Sequence, residues 1–280
     1  MRVLPRKTGN RVGKTMMLKE EMVLKHNEVI DLLLKRKSVR KFKETTPDEE
    51  TIETIVRAGQ QAPFASQLYS VVYQSGGKYA FQAPLWFLIC ADVHKLELFM
   101  KCRGWEIVTN DVTLLLFALQ DASYMAENMV IAAESLGLGS CFLGESSINA
   151  NRVRVLVKKH HLPKGVLPVT ELVMGYPAED YPPRPRYPMG FTLFKDRYPD
   201  LTEAALTEAM STMDEGYLAQ GYYKKQKIKI KTPGREDTQT FDDYSWTEHI
   251  SRKWGQWEAS PEKLLEVMKE QGFSFSEEEE

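Results

Sequence analysis

The stretch KRKSVRKF, residues 35–42, sets five cationic side chains in eight positions around Ser38. Charge at that density is either solvated or matched by an anion. Guanidinium groups such as Arg36 and Arg40 meet a phosphate with paired N–H donors. Lys37, between them in the chain, adds a further positive charge, and the Ser38 hydroxyl is a further hydrogen-bonding group. The plainer reading is a basic helix end that complements the negative pole of its own dipole. Three other stretches bear on the choice: QAPFASQ (61–67), AENMVIAAESLGLGSCFLGE (126–145) and VTELVMGYPAEDYPPRPR (169–186).

Other chemistry-bearing residues support less. His160 and His161 are adjacent on a helical stretch, so they face apart and make a poor metal pair; no metal site is expected. Cys90, Cys102 and Cys141 have no CxxC spacing and are odd in number, which argues against a disulfide framework and for a reducing, cytoplasmic setting. Cys141 reads as a small apolar filler of a buried strand. Asp121 and Glu127 are six residues apart, which gives no paired-carboxylate geometry, and Asp121 reads as a buried polar residue at a subunit seam. Met125 and Met129 read as core. The chain has 280 residues and a formal net charge of −2, so no global field favours nucleic acid. Its longest apolar runs, LWFLIC and LLLFAL, are far too short to span a bilayer.

The elements that must position these groups follow from periodicity. Residues 27–35 place Val29, Ile30, Leu33 and Leu34 on one helical face. A second helix starts within TTPDEETIETIVRAG, with Thr46 as cap, Pro47 at the first position and Glu49 three residues on. LYSVVYQ, APLWFLICAD, SCFL and LPVTELVMG read as strands; APLWFLICAD is apolar enough to be covered on both faces. Residues 111–136 repeat apolar side chains at three-and-four spacing from Val112, Leu115 and Leu116 through Leu136, and Gly137 and Gly139 close that long helix. A further helix covers about residues 149–160. Five prolines between 177 and 188 make an extended linker. Beyond it, LTEAALTEAMSTM and SPEKLLEVMKEQG are helical, KKQKIKIKTPGRED is a basic hairpin or loop with KIKIK as a candidate edge strand, and EEEE is a frayed tail.

Taken together, the four stretches resemble the nitroreductase family of FMN-dependent oxidoreductases. The resemblance rests on Arg36, Ser38, Arg40 and Phe42 after a short helix, Ala62 and Pro63 at a turn, Gly137, Leu138, Gly139 and Gly144 after a long helix, and Gly175, Tyr176 and Pro177 before a late arginine. It covers roughly residues 29–190 and implies an α+β fold: a central mixed β-sheet flanked by helices, a long central helix, and an intertwined homodimer with FMN at the interface. On that pattern Arg36, Lys37 and Ser38 take the FMN phosphate or ribityl chain, Arg40 lies near the pyrimidine ring, and Arg184 or Arg186 completes the phosphate site. Leu143 and Gly144 offer backbone to the ring edge, where bulk is excluded. The turn after Pro63 departs from the family by reading Phe64, Ala65, Ser66, Gln67, Leu68, Tyr69; Gln67 stands in for an asparagine, and Phe64 and Tyr69 make the wall more aromatic.

The expected activity is ping-pong hydride transfer from NAD(P)H through the flavin to a nitroaromatic or quinone. Positioning and charge stabilisation suffice for such a reaction, without a catalytic side chain. Two rivals stand beside it: the same scaffold with other flavin chemistry, such as reductive dehalogenation or flavin breakdown, and a non-catalytic protein that binds a phosphate ligand. The expected organisation is a flexible arm (1–28), an FMN-binding core (29–190) and an extension (191–280) that wraps the partner subunit or caps the site. Neither a nucleic acid nor a membrane is an expected partner.

Overall fold

The computed structural model describes residues 25–258 and 260–275. Most of the expected arm, residues 1–24, and the acidic tail lie outside the described residues.

Four strands form the sheet: β1 (Tyr69–Ser75), β2 (Leu85–Asp92), β3 (Gly139–Leu143) and β4 (Val166–Gly175), in the order β1-β2-β4-β3. The mixed sheet expected from the sequence is a correction here, since all three pairings of these strands are antiparallel. Parallel character enters through a single bridge between Ser38 and Ser140. Every residue of β2 is buried. Its side chains alternate between two cores, as the two-residue repeat of a strand requires. Leu85, Phe87 and Ile89 join Ile52, Ile55, Met125 and Met129 on one face. Trp86, Leu88 and Cys90 join Cys141, Leu156 and Val173 on the other. Burying each large apolar side chain contributes roughly 1.5–3 kcal/mol, so β2 is the main apolar anchor of the sheet.

The first face is covered by α2 (Glu49–Gln60) and by α4 (Asp111–Ser135), which follow α1 (Glu28–Lys35) and α3 (His94–Cys102) in the chain. Asp48, rather than Thr46, caps α2: its carboxylate accepts the Thr51 N–H at 2.8 Å, leaving Pro47 one residue before the cap. The Asn110 side chain caps α4, whose 25 residues extend about 38 Å at ~1.5 Å per residue. Gly137, at φ 79°, follows its last turn in a left-handed conformation that favours glycine. The buried stripe of α4 runs from Leu114 through Ala118, Asp121 and Met125 to Ala133. Val112, Leu116 and Leu136, expected on that stripe, face outward instead, together with Phe117 and Tyr124. A helix that is apolar all round does not declare which side meets its own sheet. Helix α1 behaves likewise, with Val29, Leu33 and Leu34 sharing one exposed face.

The other face carries α5 (Ala150–His160) through Leu156, while Val153 packs with Leu68, Ala91 and Leu114. After the proline-rich stretch come α6 (Glu203–Gln220), α7 (Tyr222–Gln226), α8 (Trp246–Gln256) and α9 (Pro261–Glu270). KIKIK forms no strand: Lys229 pairs with Asp237, and the Ile230 N–H goes to the Tyr244 hydroxyl, so its donors are used locally. Val267 and Phe273 pack with Leu68, Ala91, Val93 and Leu114, which ties the end of the chain to the core. No helix among the described residues is long and apolar enough to cross a membrane.

Candidate active site

The basic segment is laid against the sheet by its own backbone. Arg36 ends α1. Beyond it the Val39 N–H donates to Ser140 O at 2.8 Å, the Lys43 N–H to Tyr176 O at 2.8 Å, and the Ala178 N–H to Lys41 O at 2.9 Å. A Cβ on Gly139 would come within 2.5 Å of Val39 Cγ2, so this crossing is why residue 139 has no side chain. Tyr181 closes the same region by donating its hydroxyl to Ser38 O.

This arrangement concentrates positive charge. Burial raises the pKa of the Cys141 thiol, while Arg40, Arg36 and the Ser38 side chain act against it. Burial likewise raises the Tyr217 phenol, and Arg184, Arg186 and Arg40 oppose that shift. Arg40 is therefore common to both groups. Arg184 lies over the rings of Tyr222 and Tyr181, at 4.1 Å and 4.8 Å, and donates to Gln220 Oε1. Arg186 donates to the Arg184 and Pro185 carbonyls at 2.9 Å and 3.1 Å. Lys37 is ion-paired with the exposed Asp180. Two polar atoms in this neighbourhood, Arg36 Nε and Ser140 Oγ, are buried without a hydrogen-bond partner. Burial also lifts the Glu134 carboxyl on the last turns of α4 to about 7, against the pull of Arg36 and Lys37 and with a push from Glu127.

Two buried carboxylates hold the flanking loops. Asp121, on α4, accepts N–H donors from Ala65 at 2.6 Å, Ser66 at 3.1 Å and Leu68 at 3.0 Å. It thereby sets the loop that carries Pro63 and Gln67, both exposed, with Gln67 at φ 55°. Phe64 is exposed on that loop, whereas Tyr69, expected beside it on an aromatic wall, packs into the core beside β2. Glu171, on β4, accepts from Trp86 Nε1 at 2.8 Å, Ser146 Oγ at 2.9 Å and Arg152 Nε at 2.8 Å. Burial alone would raise its carboxyl, but the bonds from Arg152, Trp86 and Ser146 hold it below the usual range. Through Ser146 it fixes the turn after Leu143 and Gly144. Gly144 borders open space, with no atom within 4 Å of where its Cβ would be. It lines a cleft of about 780 Å³ shared with Ile148 and with Lys253, Trp254 and Trp257 of the chain's end.

Arg36, Arg40 and Ser38 act on the Cys141 thiol, Arg184, Arg186 and Arg40 act on the Tyr217 phenol, and Leu143 and Gly144 follow Cys141 at the end of its strand. Pro63 and Gln67 sit apart on the Asp121-held loop. His160 stacks on Trp86 at 4.9 Å, a packing role. Sequence reasoning missed Glu171, Glu134, Tyr181 and Tyr217. A lone charge in the apolar run LPVTELVMG was the available signal for Glu171.

Comparison with known proteins agrees with this architecture. The family model described as "Nitroreductase family" matches residues 33–74 and 76–176. A Bacillus subtilis protein named "FMN reductase (NADPH)" is 27% identical over 267 residues, covering 89% of this chain and 99% of its own length. An "oxygen-insensitive NADPH nitroreductase" of Salmonella typhimurium is 28% identical over 239 residues, covering 80% of this chain and 89% of its own. Among solved structures, the NfrA1 nitroreductase of B. subtilis superposes with a TM-score of 0.71 at 26% identity, over 88% of this chain and 98% of that one.

Proposed function

The chain belongs to the nitroreductase family, and on that premise we propose that it works as an FMN-dependent NAD(P)H oxidoreductase that passes reducing equivalents to a nitroaromatic or quinone in a ping-pong cycle. Similarity to the NADPH-linked FMN reductase and nitroreductase supports the cofactor and the donor. The observation that carries the reading is the pair of orphaned polar atoms, Arg36 Nε and Ser140 Oγ, buried beside converging cations. A buried N–H without a partner costs about 1–3 kcal/mol, so it needs an acceptor that the chain itself does not supply. A phosphate dianion meets that need.

On this reading Arg36 and Ser38 bind the phosphate, and Arg184 or Arg186 adds a second guanidinium. Lys37 contributes less, since it is already paired with Asp180. Arg40 offsets negative charge on the reduced ring. Leu143 and Gly144 leave room for a flat ring edge beside the Ser146-pinned turn, and the Asp121-held loop supplies Pro63 and Gln67 on another side. Bound FMN would supply the redox chemistry, a two-electron exchange between NAD(P)H and the acceptor. The protein's part is to orient, to exclude water and to balance charge.

The same reading makes the protein a homodimer. Val29, Leu33 and Leu34 of α1 and Val112, Leu116, Phe117 and Tyr124 of α4 form exposed apolar faces that a second copy would cover. It also places the chain in the cytoplasm, where NAD(P)H is available.

A visible spectrum of the purified protein tests the core of this. The protein should show flavin absorbance that bleaches anaerobically with NADPH or NADH. Arg36→Ala should lose the flavin on desalting while keeping its circular dichroism. A colourless protein that stays colourless after incubation with FMN would refute the assignment. Light scattering should give twice the chain mass, and initial-rate plots at varied donor and acceptor should be parallel.

A further inference from the structure

The cleft beside Gly144 has a second wall that the cofactor reading does not use. Trp254 and Trp257, at the end of α8, have ring centroids 4.9 Å apart at an interplanar angle of 36°. Both rings are solvent-accessible, 67% and 40% exposed. Lys253 Nζ stands 5.5 Å from the centre of the first ring and 5.0 Å from the second. Two indoles left open to water cost free energy unless they have a partner, and this pair lines the same 780 Å³ cleft as Gly144 and Ile148.

We propose that Trp254 and Trp257 form a stacking platform that selects planar, electron-poor acceptor rings for reduction. The proposal rests on the flavin reading of Gly144, because that glycine joins the platform to the redox site. An indole face is electron-rich and favours offset stacking with electron-poor rings such as quinones and nitroaromatics. Around it, Lys253 and Lys263 offer N–H donors that suit nitro or carbonyl oxygens. The cleft's charges balance, with Lys253 and Lys263 against Glu145 and Glu258, and no arginine lines it. A dinucleotide carrying a pyrophosphate and a 2′-phosphate would want the opposite: net positive charge and guanidinium forks. Coulombic bookkeeping therefore favours the uncharged acceptor over the coenzyme.

The test compares the wild-type holoenzyme with the Trp254→Ala/Trp257→Ala double variant, with menadione as the probe acceptor. Flavin content and anaerobic bleaching by NADPH are recorded first. Absence of flavin in the wild type would sink the reading of the site itself and would be seen before any acceptor is added. With flavin present in both proteins, the double variant should raise KM for menadione at least fivefold, with KM for NADPH and the bleaching rate unchanged. Quenching of intrinsic tryptophan fluorescence by menadione, read on the oxidised protein without NADPH, should lose its saturable phase in the variant. Trp254→Phe/Trp257→Phe should restore most of the menadione KM. An unchanged menadione KM would overturn the proposal. So would a parallel rise in KM for NADPH with weakened binding of 2′,5′-ADP, which would make the platform an adenine site instead.

Discussion

The sheet half of the molecule and the helices after residue 200 solve the same problem differently. In the sheet half, buried carboxylates receive several donors each: Asp121 takes three backbone N–H groups, and Glu171 takes Trp86, Ser146 and Arg152. In the later helices, rings do much of the holding, and the one buried cation described there, Arg252, is shared among partly exposed partners. Tyr223 stacks on His249 at 4.7 Å and meets Tyr244 edge-on at 5.3 Å, while Arg252 grips Asp237 through two bonds of 3.0 Å and also pairs with Glu248. A donor network around a buried charge has one good arrangement and fixes position. Aromatic contacts tolerate sliding and replacement. The difference teaches that the first half is built for a shape that must not move, and the second for a surface that can be altered.

The largest effect should come from Asp121→Ala, which strands three N–H donors. At about 1–3 kcal/mol for each unsatisfied group, a loss on the order of 4 kcal/mol is expected in the denaturant midpoint. A loss below ~1 kcal/mol would break the contrast at its strongest point. Arg252→Ala should cost less, about 2 kcal/mol, because Asp237 and Glu248 can regain water once the guanidinium is gone. Smaller again is Thr202→Ala, which removes the side-chain acceptor of the Ala205 N–H at the start of α6. About 1 kcal/mol is expected from the thermal midpoint, as for other exposed caps.

The subtlest test is a slope. Burial raises the Glu134 carboxyl from 4.5 to about 7, so the folded state holds its proton more tightly than the unfolded chain. That contribution is fully present below 4.5 and is lost as pH rises towards 7. Asp237 runs the other way: bonds from Arg252 and Lys229 hold it below 3.8, so its contribution is present above that value and lost as pH falls. Glu134→Gln should flatten the thermal midpoint between pH 4.5 and 7 and leave the acid limb in place. Asp237→Asn should flatten the acid limb alone. If both variants altered the same limb, the two halves would not be electrostatically separate.

Much of the scaffold could be read from spacing. β2 is apolar without interruption, α4 repeats for seven turns, and Gly137 stops it. These signals are local, and local pattern is what a sequence carries openly. Arg36, Ser38, Arg40, Arg184 and Arg186 stand out in the sequence because charge and order along the chain survive without coordinates. Asp121's role was hidden, since its partners lie 53 to 56 residues away and are main-chain atoms with no side-chain signature. The cap of α2 moved from Thr46 to Asp48 because a carboxylate one residue past Pro47 reaches the same first-turn donors. Which faces of α1 and α4 point outward was illegible for a different reason: an exposed apolar face has the same composition as one buried against the chain's own sheet. Trp246–Gln256 escaped notice because its few apolar residues are spread among charges.

Asp121 grips its loop entirely through the main chain, and this has an evolutionary corollary. Residues 64–66 owe none of their path to their own side chains in that contact, so lineages, or a saturation library at Phe64 and Ser66, can rewrite the exposed surface of this loop while inheriting its contour. Drift in the loop's side chains can then proceed one codon at a time, without a detour through unfolded ancestors.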